Sequence, residues 1–327
     1  MRRTAILGTG AYAPERVLTN ADLEKMVETS DAWITERTGI KERRIAAPNE
    51  QTSDMAVKAA IRALEMAHTR AEELDLIVMG TVSPDMPMPS CAVMVQAKLG
   101  AKRAFAFDVS AACAGSLYAM SIADQYIRGG GVRRALIIGV ELLSRVVDWT
   151  DRNTCVLFGD AAGAMVLGPS TDESRGILGI HLHSDGDAAG ILTIAGGGSL
   201  HPQSTEVLEK KLHKVAMNGR EVYKYAVRAL PEAVLEALGA QGLAPGDVTH
   251  LIGHQANLRI IESVCARLRL PLEKCWVNIQ RYGNTSSASL PTTLDEANRA
   301  GRLHPVNIIA MMAIGAGMAW GAGVVRW

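Results

Sequence analysis

Cysteine is scarce in this sequence, with five in 327 residues, and no pair has the C-x-x-C spacing of a zinc or redox site. The odd number also argues against a disulfide framework, so we expect free thiols at Cys91, Cys113, Cys155, Cys265 and Cys275. No apolar run reaches the roughly 18 to 20 residues of a membrane-spanning helix, and the first residues lack a signal-peptide pattern. We therefore expect a cytoplasmic protein that holds no metal and does not enter the membrane.

Neither sign of charge is in excess, because 34 basic residues balance 34 acidic ones. A neutral chain has no overall attraction for nucleic acid or for an anionic membrane surface, which argues against both as general partners. A charged partner must therefore bind a local patch. Hydrophobic residues make up 48% of the chain, which is enough for a large core in one long domain or two shorter ones.

Short apolar runs alternate with longer helical patterns along the chain, as in "RALIIGV" and "SDMAVKAAIRALEMA". This alternation predicts an α/β protein with buried strands. The pattern also repeats, which predicts two similar halves, residues 1–172 and 173–327, that meet near the polar segment "STDESRG". Because equivalent strand ends face each other in such a duplicated fold, we expect Cys113 and Asn284 near equivalent positions.

Cys113 stands where a strand pattern gives way to a helical one, in "DVSAACAGSLYAM". A free cysteine is as often a core residue as a nucleophile. Here a helix that begins near Ala114 would point its first N–H groups and the positive end of its dipole at the sulfur, which favours the thiolate. The small neighbouring residues leave room for a substrate, so the sequence indicates Cys113 as a nucleophile.

Two polar residues in the second half also follow strand patterns and precede helical ones. His254 lies in "LIGHQANLRI" and Asn284 in "RYGNTSSASLP". Each residue alone has a common structural explanation, since Asn often forms turns and a lone His is often structural. Cys, His and Asn at corresponding places in a duplicated fold indicate a joint chemical role. A cysteine hydrolase, with His as base and Asn as its orienting partner, uses the same residue types.

Five segments in order span nearly the whole chain: "TSDAWITERTGIKERRIA", "VSAACAGSLYAM", "HQANLRII", "YGNTSSASLP" and "GAGMAWGAGVVRW". Together they resemble the β-ketoacyl-acyl carrier protein synthase III family, the condensing enzymes that start fatty-acid chains. The resemblance implies a thiolase-like αβαβα layered fold built from two duplicated halves, and a homodimer. It also implies acyl-CoA and malonyl-acyl carrier protein as substrates, and no cofactor.

By this resemblance, Cys113 takes the acyl group from acyl-CoA as a thioester, and decarboxylation of malonyl gives a carbanion that attacks it. The Nε2–H of a neutral His254 and the amide of Asn284 would donate hydrogen bonds to the enolate oxygen. Backbone N–H groups of Cys113 and Ala316 would hold the oxyanion of acyl transfer. The family has glycine at the position of Ala316, so a positive φ there would strain the alanine.

The resemblance also assigns two groups of surface residues. Those expected to contact CoA and its pantetheine arm are Trp33, Arg37, Arg152 and Asn257. A basic patch expected to dock the acidic carrier protein consists of Arg220, Lys224 and Arg259. Stacking of the adenine between Trp33 and an arginine suits the planar guanidinium group.

The acyl pocket is expected to be lined by Met88, Leu143, Phe158 and Ile314. Short-chain members of the family often carry phenylalanine at the positions of Met88 and Ile314. The Met88 side chain is expected to reach across the dimer interface into the partner's pocket. Smaller and more flexible side chains at these positions predict primers that are longer or bulkier than acetyl.

Three alternatives differ from this interpretation. A papain-like hydrolase would carry a Cys-Trp pair near an early helix, which this chain lacks, and its pattern would not be duplicated. A non-catalytic protein that binds acyl-CoA or the carrier protein has no need for Cys, His and Asn together. A related condensing or acyl-transfer enzyme of secondary metabolism shares these residues and is the nearest alternative.

Overall fold

Strands and helices alternate along the chain in the computed structural model, which describes residues 3–327. The strands of this range are β1 (Thr4–Tyr12), β2 (Arg16–Thr19), β3 (Glu42–Ile45), β4 (Leu76–Gly80), β5 (Phe105–Val109), β6 (Ala135–Glu141), β7 (Ala161–Pro169), β8 (Gly176–Ser184), β9 (Leu192–Thr193), β10 (Ala216–Met217), β11 (His250–Gly253), β12 (Cys275–Trp276), β13 (Ile308–Gly315) and β14 (Ala319–Arg326). The α-helices are α1 (Asn20–Leu23), α2 (Asp31–Thr38), α3 (Thr52–Met66), α4 (Cys91–Leu99), α5 (Gly115–Arg128), α6 (Thr205–Glu209), α7 (Gly219–Gly239), α8 (Leu258–Leu268), α9 (Ile279–Tyr282) and α10 (Ser289–Arg299). None of these helices is long and apolar enough to cross a membrane.

Two five-stranded sheets have the same strand order. The first sheet has the order β1-β7-β6-β4-β5, and the second has the order β8-β14-β13-β11-β12. In each sheet three strands pair in parallel, and the other two are added by antiparallel pairing. The duplication is therefore visible in the topology. The connection from β7 to β8 contains residue 172, where the division into two halves stays a prediction.

Helices form three layers around the two sheets. α5 and α10 lie between the sheets, α3 and α4 cover the outer face of the first, and α7 and α8 cover the outer face of the second. The alternation along β13 serves two layers, since Ile309 and Met311 face the central helices while Met312 and Ile314 face α7 and α8. This arrangement confirms the prediction of an αβαβα layered α/β fold.

A short 3-10 turn precedes each central helix, Ala112–Ala114 before α5 and Ser286–Ala288 before α10. Each turn begins with a non-glycine residue of positive φ, 44° at Ala112 and 49° at Ser286. Such a conformation costs on the order of 1 kcal/mol, and it recurs at elbows that present a functional side chain. The two halves therefore carry the same strained elbow at the inner ends of their central helices.

The matched elbows make Ser287 the structural counterpart of Cys113. The expected equivalence of Cys113 and Asn284 is wrong, because Asn284 lies before the elbow, in the loop after α9. The first elbow is held in place by close packing of its backbone against two neighbouring glycines. A Cβ on Gly80 would collide with the backbone of Gly115 at the start of α5, and one on Gly315 would collide with the N–H of Cys113.

A disulfide joins Cys265, in α8, to Cys275, in β12, while Cys91, Cys113 and Cys155 are buried free thiols. The prediction of five free thiols is therefore wrong for this pair. The two cysteines lie ten positions apart in the sequence, and the turn between α8 and β12 brings them together. Their pairing therefore cannot be predicted from their spacing alone.

Candidate active site

The turn that follows Asn284 contacts all three residues expected to be catalytic. The Ser286 N–H donates a hydrogen bond of 2.9 Å to Oδ1 of Asn284, and the Ser286–Ala288 turn packs against the Ala112–Ala114 turn, which contains Cys113. One helical turn later, the hydroxyl oxygen of Ser289 lies 2.6 Å from Nδ1 of His254. The structure thus brings the cysteine of one half together with the histidine and asparagine of the other.

Cys113 lies in the first elbow and is 6% exposed. Burial raises the pKa of the thiol to about 12; the neighbouring Ser286 hydroxyl acts to lower the pKa, and the charge of Glu141 adds to the rise. α5 begins near the sulfur, at Gly115, as expected, but burial acts against the thiolate. The expected contribution of the helix start to the thiolate stays a prediction.

His254 follows the last residue of β11, and its backbone N–H donates a hydrogen bond of 2.8 Å to the Met312 carbonyl. This bond fixes the residue at the end of the parallel pair formed by β11 and β13. Burial lowers the pKa of the imidazole to about 3. The ring is therefore neutral at physiological pH, as the oxyanion-donor role requires.

The Asn284 backbone is held on both sides by the segment that precedes β7. Its N–H donates a hydrogen bond of 2.9 Å to the Leu157 carbonyl, and its carbonyl accepts one of 3.0 Å from the Gly159 N–H. Because Oδ1 already accepts the Ser286 N–H, the side-chain NH₂ is the group left to donate. Asn284 thus has one orientation in which it can serve an oxyanion.

An inner cavity of about 550 Å³ opens beside Cys113. Leu143 and Phe158, two of the residues expected in the acyl pocket, line it. Further apolar side chains that the sequence did not indicate also line it: Val82, Val146, Leu192, Ile194 and Val215.

Two residues expected in the acyl pocket lie elsewhere. Ile314 packs in the cluster beneath α7 and α8, because β13 directs its even-numbered side chains to the outer face of the sheet. Its assignment to the pocket is therefore wrong. Met88 is 84% exposed and does not line the cavity of its own chain, so its expected reach across a dimer interface stays a prediction.

Ala316 lines the inner cavity just beyond β13. Within residues 3–327 the non-glycine positions of positive φ lie elsewhere, at His68, Ala112, Lys211, Arg269, Ser286 and Val306. The strain that alanine would suffer at a positive φ therefore does not arise. The backbone N–H of Ala316 is kept where the family has glycine.

An outer cavity of about 890 Å³ gathers most of the residues expected to bind CoA and the carrier protein. Its lining includes Asn284 together with Trp33, Arg37, Asn257, Arg220, Lys224 and Arg259. Lys224 forms an ion pair of 2.7 Å with Glu221, which neutralises part of the basic patch. Because Asn284 lines the outer cavity and Ser286 the inner one, the two cavities adjoin at this turn, which is the candidate passage between them.

Trp33 is covered by two arginines in this structure. The guanidinium carbon of Arg152 lies 4.4 Å from the ring centroid, and that of Arg37 lies 5.1 Å away. Asn257 has a structural role as well, since its Oδ1 caps α8 and its Nδ2 donates a hydrogen bond of 3.0 Å to the Arg37 carbonyl. The planar groups expected to enclose an adenine are thus already in contact.

Glu141, at the end of β6, is a buried carboxylate that the sequence analysis did not single out. It accepts hydrogen bonds from the hydroxyls of Ser83 and Ser286, at 2.6 and 3.1 Å, and from the N–H of Val82 at 3.1 Å. Burial raises its pKa to about 7 against the effect of these donors. A polar residue at the end of the apolar run "RALIIGVE" is the signal that could have identified it.

Comparisons with known proteins identify relatives along nearly the whole chain. The family described as 3-oxoacyl-[acyl-carrier-protein (ACP)] synthase III matches residues 107–186, and its C-terminal counterpart matches residues 238–327. The β-ketoacyl-[acyl-carrier-protein] synthase III of Caldanaerobacter subterraneus is 52% identical over 322 residues, which cover 98% of this chain and 97% of that protein.

Solved structures agree with these matches. The 3-oxoacyl-[acyl-carrier-protein] synthase III of Aquifex aeolicus has a TM-score of 0.92 at 47% identity and covers 99% of this chain and 100% of its own. The priming β-ketosynthase of a polyketide biosynthetic pathway has a TM-score of 0.92 at 36% identity, with coverage of 99% and 96%. The fold and much of the sequence are thus shared with both.

Proposed function

The chain belongs to the 3-oxoacyl-[acyl-carrier-protein] synthase III family, and from this we propose that it joins an acyl-CoA primer to malonyl-acyl carrier protein and so starts fatty-acid synthesis. CoA and CO₂ are released, and the product is a 3-ketoacyl-acyl carrier protein. The observation that carries the assignment of residues is the segment after Asn284, in which the Ser286–Ala288 turn packs against the turn of Cys113 and Ser289 contacts His254.

In the first half-reaction the Cys113 sulfur attacks the thioester carbon of acyl-CoA. The bond from that carbon to the CoA sulfur breaks, the thiol proton passes to the departing CoA, and an acyl-cysteine remains. Backbone N–H groups of Cys113 and Ala316, both on the wall of the inner cavity, are the proposed donors to the oxyanion. The CoA thioester is a substrate, and this chemistry uses no bound cofactor.

In the second half-reaction malonyl loses CO₂, and negative charge develops on its thioester oxygen. The resulting carbanion attacks the acyl-cysteine carbon, and the Cys113 sulfur leaves as a thiolate that takes a proton from water to restore the thiol. The NH₂ of Asn284 and an Nε2–H of His254 are the proposed donors to the enolate oxygen, since the first has its carbonyl oxygen occupied and the second is neutral. Preorganised neutral donors stabilise this charge without becoming ionised themselves.

The outer cavity is the proposed entrance for both CoA and the acyl carrier protein. Trp33, Arg37 and Arg152 form the proposed adenine site, and Asn257, which bonds the Arg37 carbonyl, lines the same cavity as Asn284. Positive charge on α7 and α8, at Arg220, Lys224 and Arg259, is the proposed docking patch for the acidic carrier protein. The pantetheine arm is common to both substrates, so one passage serves both half-reactions.

The inner cavity supports primers longer or bulkier than acetyl. Its volume of about 550 Å³ far exceeds that of an acetyl group, and its walls are largely apolar. Similarity to a polyketide priming enzyme keeps a role in secondary metabolism as the second candidate. Comparison of acetyl-, butyryl-, isobutyryl-, octanoyl- and decanoyl-CoA as primers tests the proposed preference for longer or bulkier primers. A strict preference for acetyl-CoA contradicts it.

A homodimer is supported by the exposed apolar edge of the first sheet. β5 is an edge strand with Phe105 45% exposed, and the nearby loop exposes Met88. Analytical ultracentrifugation tests the dimer. Within a dimer, Met88→Phe is expected to narrow the primer range toward acetyl.

We also place the enzyme in the cytoplasm, which cell fractionation tests.

Mass spectrometry of the intact protein tests the assignment of residues. Incubation with acyl-CoA is expected to add one acyl group to wild type and to the Cys91→Ala variant, whose missing thiol is buried outside the inner cavity. The Cys113→Ser variant is expected to remain unmodified, whereas His254→Ala and Asn284→Ala are expected to acylate but to condense about 10² to 10³ times more slowly. Acylation of Cys113→Ser, or condensation at the wild-type rate by either of the other variants, would contradict the assignment.

A further inference from the structure

The hydroxyl of Ser289 lies between two acceptors, at the first residue of α10. It is 2.6 Å from Nδ1 of His254 and 2.7 Å from the carbonyl oxygen of Ser286. A serine hydroxyl has one proton and can donate it to only one of them. The direction of this one bond decides which imidazole nitrogen of His254 carries the proton.

The contact with His254 is short, with 2.6 Å between Ser289 Oγ and His254 Nδ1. This distance lies below the roughly 2.7 to 3.2 Å that is usual for an N–H donor to oxygen, which favours the hydroxyl as the donor. With the hydroxyl as donor, Nδ1 is the acceptor.

The remaining partners fit this direction. The Ser286 carbonyl also accepts the backbone N–H of Ser289, so it keeps a hydrogen bond when the hydroxyl turns to the imidazole. The Gln255 N–H donates a hydrogen bond of 3.3 Å to the Ser289 oxygen, which leaves the proton of that oxygen free to point at Nδ1. In this arrangement the Ser289 hydroxyl gives up its bond to the Ser286 carbonyl, while Nδ1, the Ser286 carbonyl and the Gln255 N–H each keep a hydrogen-bond partner.

We infer that Ser289 is a positioning residue that holds neutral His254 as the Nε2–H tautomer by donating its hydroxyl proton to Nδ1. This inference deepens the proposed function and rests on it, because an Nε2–H is what the enolate oxygen needs in the decarboxylation step. No proton is gained or lost in this arrangement. The hydroxyl proton stays on Ser289, and the imidazole proton stays on Nε2.

The tautomer can be read directly in the resting protein by ¹⁵N NMR of imidazole-labelled histidine. The chain has eight histidines, and His254→Asn assigns the signal by its loss. The expected wild-type spectrum shows a protonated Nε2 and an unprotonated, hydrogen-bonded Nδ1 for His254. A protonated Nδ1 overturns the inference, and this measurement decides the matter even where a Ser289 variant does not fold.

The matched variants are Ser289→Ala and Thr292→Val. Both remove one buried hydroxyl from α10, but that of Thr292 bonds the Ala288 and Ser289 carbonyls and does not bond His254. Ser289→Ala is expected to alter the His254 signal and to slow decarboxylative condensation by about 10- to 100-fold, the range known for partners that orient metal-bound histidines. Thr292→Val is expected to leave both unchanged.

The two half-reactions separate this inference from the proposed function. Cys113 of Ser289→Ala is expected to acylate at the wild-type rate, because acyl transfer does not use the Nε2–H. If Ser289→Ala changes neither the tautomer of His254 nor the rate of condensation, the proposed role of Ser289 is wrong, while the proposed function of the enzyme is not affected. Failure of wild type to acylate or condense contradicts the proposed function, while the tautomer of the resting enzyme is still measured.

Discussion

Glu141 lies beneath Ser286 and accepts a hydrogen bond of 3.1 Å from its hydroxyl. Burial raises the pKa of Glu141 to about 7, above the roughly 4.3 of a Glu in an unfolded chain. The folded state therefore binds a proton that the unfolded state releases between these values, so this contribution to stability is full below the lower pKa and is lost as the pH rises through 7. Glu141→Gln is expected to remove that loss, and we expect it to decrease the fall in unfolding free energy between pH 5 and 8 by about 2 kcal/mol.

Urea denaturation at several pH values measures this difference. Glu209→Gln, which removes an exposed carboxylate of α6, serves as the control and is expected to follow wild type. Parallel pH curves for wild type and Glu141→Gln would show that the carboxylate is ionised in the folded protein throughout this range.

Alkylation of Cys113 is expected to follow the high pKa of its thiol. Because burial raises that pKa to about 12, the thiolate fraction grows about tenfold for each pH unit below it. The rate of carbamidomethylation by iodoacetamide is therefore expected to rise without a plateau from pH 7 to 10. Peptide mass spectrometry follows Cys113 separately from the other thiols, and a plateau near neutral pH would indicate a stable thiolate.

Reversal of charge at the outer cavity is expected to discriminate between the two carriers. Arg259→Glu is expected to raise KM for malonyl-acyl carrier protein by on the order of 10-fold at low salt and to change KM for acyl-CoA less. The difference is expected to shrink as salt screens the exposed charges. Arg267→Glu makes the same charge change on α8 outside the cavity lining and is the control. Equal effects on both substrates would point instead to the shared pantetheine passage.

Bulk added to the inner cavity is expected to restrict primer length. Leu192 lines the cavity, so Leu192→Phe is expected to lower kcat/KM for octanoyl-CoA by roughly 10-fold or more and to change acetyl-CoA little. Leu200→Phe adds the same group to a side chain that is 80% exposed, and it is expected to behave like wild type. A uniform loss across primers would mean that Leu192 does not face the acyl chain.

The sequence sufficed to predict the layers and to single out Cys113, His254 and Asn284, because strand ends, apolar alternation and motif order are local properties. It did not indicate Glu141 or Ser289, since a carboxylate after a strand and a serine in a turn gain meaning only from the side chains they meet. The rise that burial causes in the pKa of the Cys113 thiol could not be predicted for the same reason. A helix start can be predicted from a short segment, whereas burial depends on the whole fold.

The side of the sheet on which a side chain lies was equally hard to predict from the sequence, as β13 shows. The resemblance placed Ile314 in the acyl pocket, but the pleat directs this residue to the outer helices, and a shift of one residue would reverse every side chain of the strand. Residues from β9 and from the loops around it, including Leu192 and Ile194, complete the cavity instead. Their contribution depends on how long connections fold back over the sheet ends, which neither composition nor periodicity encodes.

The two elbows of equal geometry also bear on how the molecule came to be asymmetric. In the second half Ser287 stands where the first half has Cys113, and its hydroxyl turns inward to the Gly80 carbonyl, at 2.8 Å, and to Glu141, at 3.1 Å. An ancestor with identical halves would have offered two such positions for a nucleophile. In the present chain the first elbow carries the nucleophile, and the second elbow supports it through the contacts of Ser287 with Gly80 and Glu141.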